Sequence, residues 1–188
     1  MKSVIDGEIE TEENEITYKC HGVPVPIAAA ASSIKEIAPF VLMTQSDDAR
    51  YSSILFEEPE SHLHPEMQNA IVDIMAIMIQ QRTHLQITTH SDYVLRRIND
   101  LIYLHKIKEA WHDEEKYNVF CKKHGLDSSL VLDPSNIKAY FFKAKKDGTT
   151  EVIHQDLSDG IPFDTFENII NTKFPVSAEI YEQFELVR

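Results

Sequence analysis

The strongest constraint on the fold is a pair of short apolar runs with a helix pattern between them. Tyr51 to Phe56 is the first run, and it stops abruptly at Glu57-Glu58-Pro59-Glu60. A run this short, bounded by turn residues, predicts a buried strand. Pro65 to Gln81 follows, with Met67, Ile71, Ile74, Met75 and Met78 at helical spacing. Thr83 to His90 predicts a second strand, which ends on a histidine instead of a carboxylate. Strand, helix, strand in this order predicts a parallel α/β unit with a right-handed crossover. A short helix from Ser91 toward Asn99 and a third core strand over Leu101 to His105 are expected to follow.

The flanks predict antiparallel additions. Gly7 to Lys19 alternates polar residues with Ile9, Ile16 and Tyr18 around Glu12-Glu13-Asn14, a hairpin pattern. Pro24 and Pro26 predict an extended connector. Ser32 and Ser33 are expected to cap a helix that carries Ile34, Ile37, Val41 and Leu42, with Pro39 in its first turn or at a kink. Lys108 to Asp127 is charged, holds Trp111 and predicts a surface helical insertion. Ala139 to Ala144 and Thr149 to His154 flank Asp147-Gly148, a second hairpin pattern. Closing helices are expected over 163–170 and 177–184. The expected organisation is one domain over 1–188. It comprises a hairpin and helix (7–50), the strand–helix–strand core (51–105), the insertion (106–133), and a hairpin with helices (134–188).

Composition excludes several classes. A net charge of -13 argues against a broad nucleic-acid footprint, which needs clustered Lys and Arg. No segment reaches the ~18–20 continuous apolar residues of a membrane span, and the amino terminus lacks the apolar stretch of a signal peptide. Cys20 and Cys121 are far apart and form no CxxC pattern. A soluble cytoplasmic protein with inert thiols is therefore expected.

The chemistry concentrates at the predicted strand ends, where ligands bind in open α/β sheets. Glu57 is placed to anchor a hard cation, directly or through water. Glu58 points differently and is placed to accept a proton from a water attacking a phosphate. An imidazole at His90 is placed to hydrogen-bond a phosphate oxygen as charge develops on it.

The string Ile54-Leu55-Phe56-Glu57-Glu58-Pro59-Glu60-Ser61-His62-Leu63-His64-Pro65 resembles the Walker B and D-loop region of ABC-type ATPases. The nearest resemblance is to the AAA-annotated ATPases related to the overcoming-lysogenization-defect (OLD), RecF and SMC proteins. Thr88-Thr89-His90-Ser91 resembles their switch histidine, and Ala31-Ser32-Ser33-Ile34-Lys35 their signature segment. The resemblance spans roughly residues 7 to 185 and implies a partial P-loop-NTPase-type parallel sheet flanked by helices, with ATP and Mg2+ as ligands. It assigns Glu57, where the family usually has Asp, to magnesium, Glu58 to the general base, and His90 to sensing the γ-phosphate. It further places Ser61 and His62 in the D-loop facing a partner subunit, and Ser32 and Ser33 across a dimer on the partner's γ-phosphate. The settings it implies are DNA maintenance or defence against phage and plasmids, with any nucleic-acid contact made through partners.

The phosphate loop is missing. No G-x-x-x-x-G-K-[ST] occurs, and none of the five glycines stands in a strand-to-helix loop before Lys-Ser/Thr. The expectation is the C-terminal half of such an ATPase, with the loop supplied by a dimer mate or partner chain. Two other readings stay open. His62, His64, His90, Glu57, Glu58 and Glu60 would together suit a metal-dependent hydrolase. Alternatively, the chain is a non-catalytic assembly module descended from an ATPase.

Overall fold

The computed structural model describes Ile5 and residues 7–12 and 15–162, so the expected closing helices lie outside the described residues. The chain divides into two compact units, 1–133 and 134–188.

The first unit opens with a three-stranded antiparallel sheet, β1 (Glu8–Glu12), β2 (Glu15–Cys20) and β3 (Val23–Pro26), in that spatial order. The expected hairpin is β1–β2. The expected connector is in fact a third strand. His21 and Gly22 join β2 to β3 with φ of 49° and 81°, the two left-handed residues of a tight hairpin turn. As an edge strand, β3 tolerates Pro24 and Pro26, whose missing N–H groups cost no ladder bond on the open side.

Helix α1 (Ser32–Gln45) begins behind Ala31, whose extended backbone occupies the cap position without a side-chain bond. The serines therefore do not cap α1; they lie inside its first turn. Pro39 sits mid-helix on the exposed side, where its ring removes one backbone hydrogen bond. Phe40 reaches down from α1 onto Phe56 of β4 (Ser53–Glu57), with ring centroids 4.5 Å apart.

The parallel unit forms as expected. Strand β4, helix α2 (Pro65–Gln80) and strand β5 (His84–Thr88) follow in order, and β4 pairs with β5 in parallel from Ser53↔His84 to Glu57↔Thr88. Pro65 starts α2 at its first position, where the lost N–H costs nothing. Eight residues of α2, from Ala70 to Met78, are buried, because the helix packs against both α1 and α3. Ile54, Phe56, Leu85 and Ile87 turn toward the helices, whereas Ser53, Leu55, Glu57 and their β5 neighbours face outward. Leu55 is 60% exposed, which is unusual for parallel sheet, since such sheets are normally covered on both faces.

Leu101 to His105 is not a strand. Helix α3 runs unbroken from Asp92 to Trp111, capped by the Ser91 hydroxyl accepting from the Val94 amide at 3.3 Å. Val94, Ile98, Leu101 and Ile102 are buried at helical spacing, and no breaker separates Asn99 from Leu101. A short apolar run has no periodicity that separates a strand from a buried helical stretch, and here the helix won. Helix α4 (Glu114–His124) is capped by Asp113 and closed by Gly125 in the left-handed region. Tyr117 and Cys121 of α4 are each 1% exposed, so the insertion is anchored in the core.

The second unit contains the expected hairpin. Strands β6 (Ala139–Ala144) and β7 (Thr150–Gln155) pair antiparallel around Asp147-Gly148. Asp147 Oδ1 accepts from the Thr149 amide at 3.0 Å and from its hydroxyl at 2.7 Å.

The α2–α3 contact holds one ion pair of consequence. Arg97 donates from Nε to Asp73 Oδ1 at 2.7 Å and from Nη2 to Oδ2 at 3.0 Å, with both side chains under 20% exposed. Removing one partner strands a desolvated charge. Asp73→Ala is expected to cost about 3 kcal/mol in urea unfolding, and replacing both residues by Leu and Met to recover most of that. A loss under about 1 kcal/mol would mean that the pair behaves as a solvated one. A separate expectation concerns Asp127, whose carboxyl is held below its ordinary value mainly by the Ser129 hydroxyl at 2.6 Å. Its stabilising contribution is present above the ordinary carboxylate pKa and fades as pH falls through the lowered one. Ser129→Ala is expected to raise the Asp127 midpoint in an NMR titration; an unchanged midpoint would remove the hydroxyl as the cause.

Candidate active site

The parallel register places the ends of β4 and β5 side by side, with Glu57 opposite Thr88. Beyond β4 the chain turns sharply. Glu58 adopts φ 44°, a left-handed conformation that a side chain with a Cβ adopts only at a cost of about 1–2 kcal/mol. Hydrogen bonds hold it there. The Glu58 amide donates to the Thr88 carbonyl at 3.0 Å and lies 3.2 Å from the Thr88 hydroxyl. The Glu58 carbonyl in turn accepts from the Ser61 amide at 2.9 Å.

This turn aims the Glu58 carboxylate at the next loop. Oε1 lies 3.6 Å from His90 Nε2, and Oε2 accepts from the Ser61 hydroxyl at 3.2 Å. The His90 side chain is 87% exposed and that of Glu58 50%. A contact this wet contributes little to stability.

The third acid behaves differently. Glu60 is buried at 7% exposure, and its Oε1 accepts from the Thr89 hydroxyl at 2.6 Å and from the His90 amide at 3.0 Å. Nearby, Gln68 of α2 donates to the Leu63 carbonyl at 2.9 Å and accepts from the Ser91 hydroxyl at 2.5 Å. The sequence marked Glu60 as an acid of the string and as a candidate metal ligand, not as a buried acceptor, and did not mark Gln68, Thr88 or Thr89 as site residues. A single sequence does not separate a solvated acid from one folded inward; the one available clue was the proline that ends the strand just before it.

The remaining site residues are more dispersed. Glu57 is exposed on the outer face of β4. His62 is exposed at φ 65°, and His64 stands at the cap of α2 without a side-chain bond. Ser32 and Ser33 open α1, and no described hydrogen bond joins either to Glu57, Glu58 or His90. Among the described residues no group of three or more His, Cys, Asp or Glu is arranged to hold a metal ion. The hydrolase reading that gathered His62, His64 and His90 with the glutamates is thereby corrected: Glu60 turns inward, and only Glu58 and His90 meet.

Residues 14–96, which include both strand ends, match the family described as "AAA domain, putative AbiEii toxin, Type IV TA system". No curated protein matches the sequence. Four solved chains match the structure. One comes from a study of ATP-driven dimerization and DNA-stimulated activation of SMC ATPases. It aligns with a TM-score of 0.52 at 14% identity, over 91% of this chain and 86% of that one. At such identity the likeness is one of fold, an α/β arrangement of P-loop NTPase type. No described helix is long and apolar enough to cross a membrane.

If Glu58 and His90 are kept for chemistry, removing them leaves the fold untouched. Glu58→Gln and His90→Ala are each expected to change unfolding free energy by no more than about 0.5 kcal/mol in urea melts. A loss of about 2 kcal/mol or more in either variant would give the pair a structural role instead.

Proposed function

We propose that this chain supplies the hydrolytic edge of an AAA/ABC-type ATPase site, completed by a phosphate loop from elsewhere. The observation that carries this reading is the approach of the Glu58 carboxylate to the His90 imidazole at the tips of two parallel strands. On this reading Glu58 orients and deprotonates the attacking water, and Ser61 steadies its other carboxylate oxygen. His90 donates to the γ-phosphate oxygen on which charge grows. Glu57 is the residue placed to hold Mg2+, which when bound would neutralise charge on the phosphate oxygens. Ser61 and His62 face a second subunit, and Ser32 and Ser33 reach its nucleotide.

Two exposed acids at the mouth, Glu57 and Glu58, repel a polyanion, and the chain has no glycine loop to surround it with backbone N–H groups. Affinity for the β- and γ-phosphates therefore falls to a dimer mate or partner chain, in line with the dimerising, ATP-driven behaviour of the SMC neighbour. The biological setting we favour is DNA maintenance or defence against phage and plasmids, and we place the protein in the cytoplasm. The missing loop and the exposed sheet face favour a second reading, a non-catalytic assembly module.

The two readings part on nucleotide. The purified chain alone is expected to show neither tight ATP binding by calorimetry nor phosphate release above background. Combined with the polypeptide that carries the phosphate loop, sought first in the DNA upstream of Met1, it is expected to show Mg-dependent turnover. Glu58→Gln there is expected to lower kcat by about 10²–10⁴-fold and to accumulate an ATP-bound dimer in size-exclusion chromatography. Unchanged turnover in that variant would remove Glu58 from its role, and tight ATP binding by the lone chain would overturn the divided site.

A further inference from the structure

Behind the solvent-facing pair lies a closed hydrogen-bond circuit that the motif does not explain. Glu60 Oε1 takes two donors from the β5–α3 loop, the Thr89 hydroxyl at 2.6 Å and the His90 amide at 3.0 Å. The same Thr89 hydroxyl accepts from the Ser91 amide at 3.1 Å. The Ser91 hydroxyl donates to Gln68, and Gln68 donates to the Leu63 carbonyl, which closes the circuit back in the β4–α2 loop. The two loops that carry Glu58 and His90 are thus joined twice.

We infer that Glu60 is a positioning residue: its buried carboxylate fixes the His90 backbone, and through it the distance from the imidazole to Glu58, with Gln68 bracing the same loops from α2. This inference rests on the hydrolytic reading of Glu58 and His90. The argument is one of exposure and charge. An imidazole that is 87% exposed has no packing of its own to hold it within the sub-ångström tolerance that catalysis demands. The constraint has to enter through its backbone. A buried carboxylate is costly unless hydrogen-bonded, and charge-assisted bonds are shorter and stiffer than neutral ones. Glu60 is 7% exposed, and its second oxygen, Oε2, has no partner among the described residues. Both donors to its other oxygen lie in the loop that carries His90.

Amide hydrogen exchange by NMR on the whole chain tests this without nucleotide. Glu60→Ala is expected to speed exchange of the His90 amide at least tenfold and of Ser91 less, with the α2 amide of Ile74 unchanged. Glu60→Gln, which keeps an acceptor oxygen, is expected to restore most of the protection. Thr89→Val, which removes one donor and leaves Glu60 intact, provides the same reading if Glu60→Ala fails to fold; it too should loosen His90 selectively. In the ATPase assembled with its phosphate loop, Glu60→Ala is expected to lower kcat while leaving KM for ATP unchanged. The inference is overturned by unchanged His90 exchange, by equal acceleration at Ile74, or by unaltered kcat where His90 has loosened. Exchange is read without ATP, so failure of the ATPase reading leaves the brace standing, and failure of the brace leaves the Glu58→Gln result standing.

Discussion

The candidate site depends on one backbone bond, from the amide of Glu58 to the carbonyl of Thr88 at 3.0 Å. It is the last link of the parallel ladder, made one residue beyond the paired positions Glu57 and Thr88. Because it forms, β4 leaves the sheet through a left-handed Glu58 instead of continuing straight, and the carboxylate turns toward the neighbouring strand's loop. Slipping β4 by one residue would exchange its inward and outward sets, exposing Phe56 and Ile54 and burying Glu57. The apolar contact of Phe40 on Phe56 therefore also fixes the position of the acids.

Backbone strain and burial divide the three neighbouring carboxylates into distinct environments. Glu57 ends a strand on its outer face, Glu58 is twisted toward His90, and Glu60 folds into the interior. Pro59 between them blocks helical geometry at Glu58 and has no N–H to satisfy. A left-handed side chain is expensive, and such strain persists where surrounding bonds over-determine it. Here the bonds from Thr88 and Ser61 do so. The same economy of sequence appears at His62, whose φ of 65° turns the chain toward the start of α2.

How much of this was legible in the sequence differs by feature. The β4–α2–β5 unit was, because its apolar periodicities differ sharply and Pro65 marks the helix start. Both hairpins were legible from alternation and the Asp-Gly turn, although the His21-Gly22 turn and β3 were missed, since two prolines argue for a connector unless the strand is an edge. The continuation of α3 through Leu101 to His105 was not legible: Leu, Ile and Tyr suit either state, and only burial against α2 decides. The meeting of Glu58 with His90 follows from placing each at a strand end. The inward turn of Glu60 does not, because its partners, the Thr89 hydroxyl and the His90 amide, are 29 and 30 residues away in sequence.

The outward face of β4–β5 supplies the last step. Ser53, Leu55 and Glu57 on β4 and His84, Gln86 and Thr88 on β5 are all exposed, although parallel strands are otherwise found covered on both sides. Leu55, at 60% exposure, is the apolar residue of that set. The exposed face runs directly to the strand ends where the acids stand. A polypeptide that covered it would arrive at Glu57 and Glu58, where an anionic ligand needs N–H donors and positive charge that this chain lacks. On the proposed reading, one partner element would both cover this face and bring the phosphate loop that the sequence lacks. On the proposed reading, covering Leu55 and completing the ATP site are the same binding event.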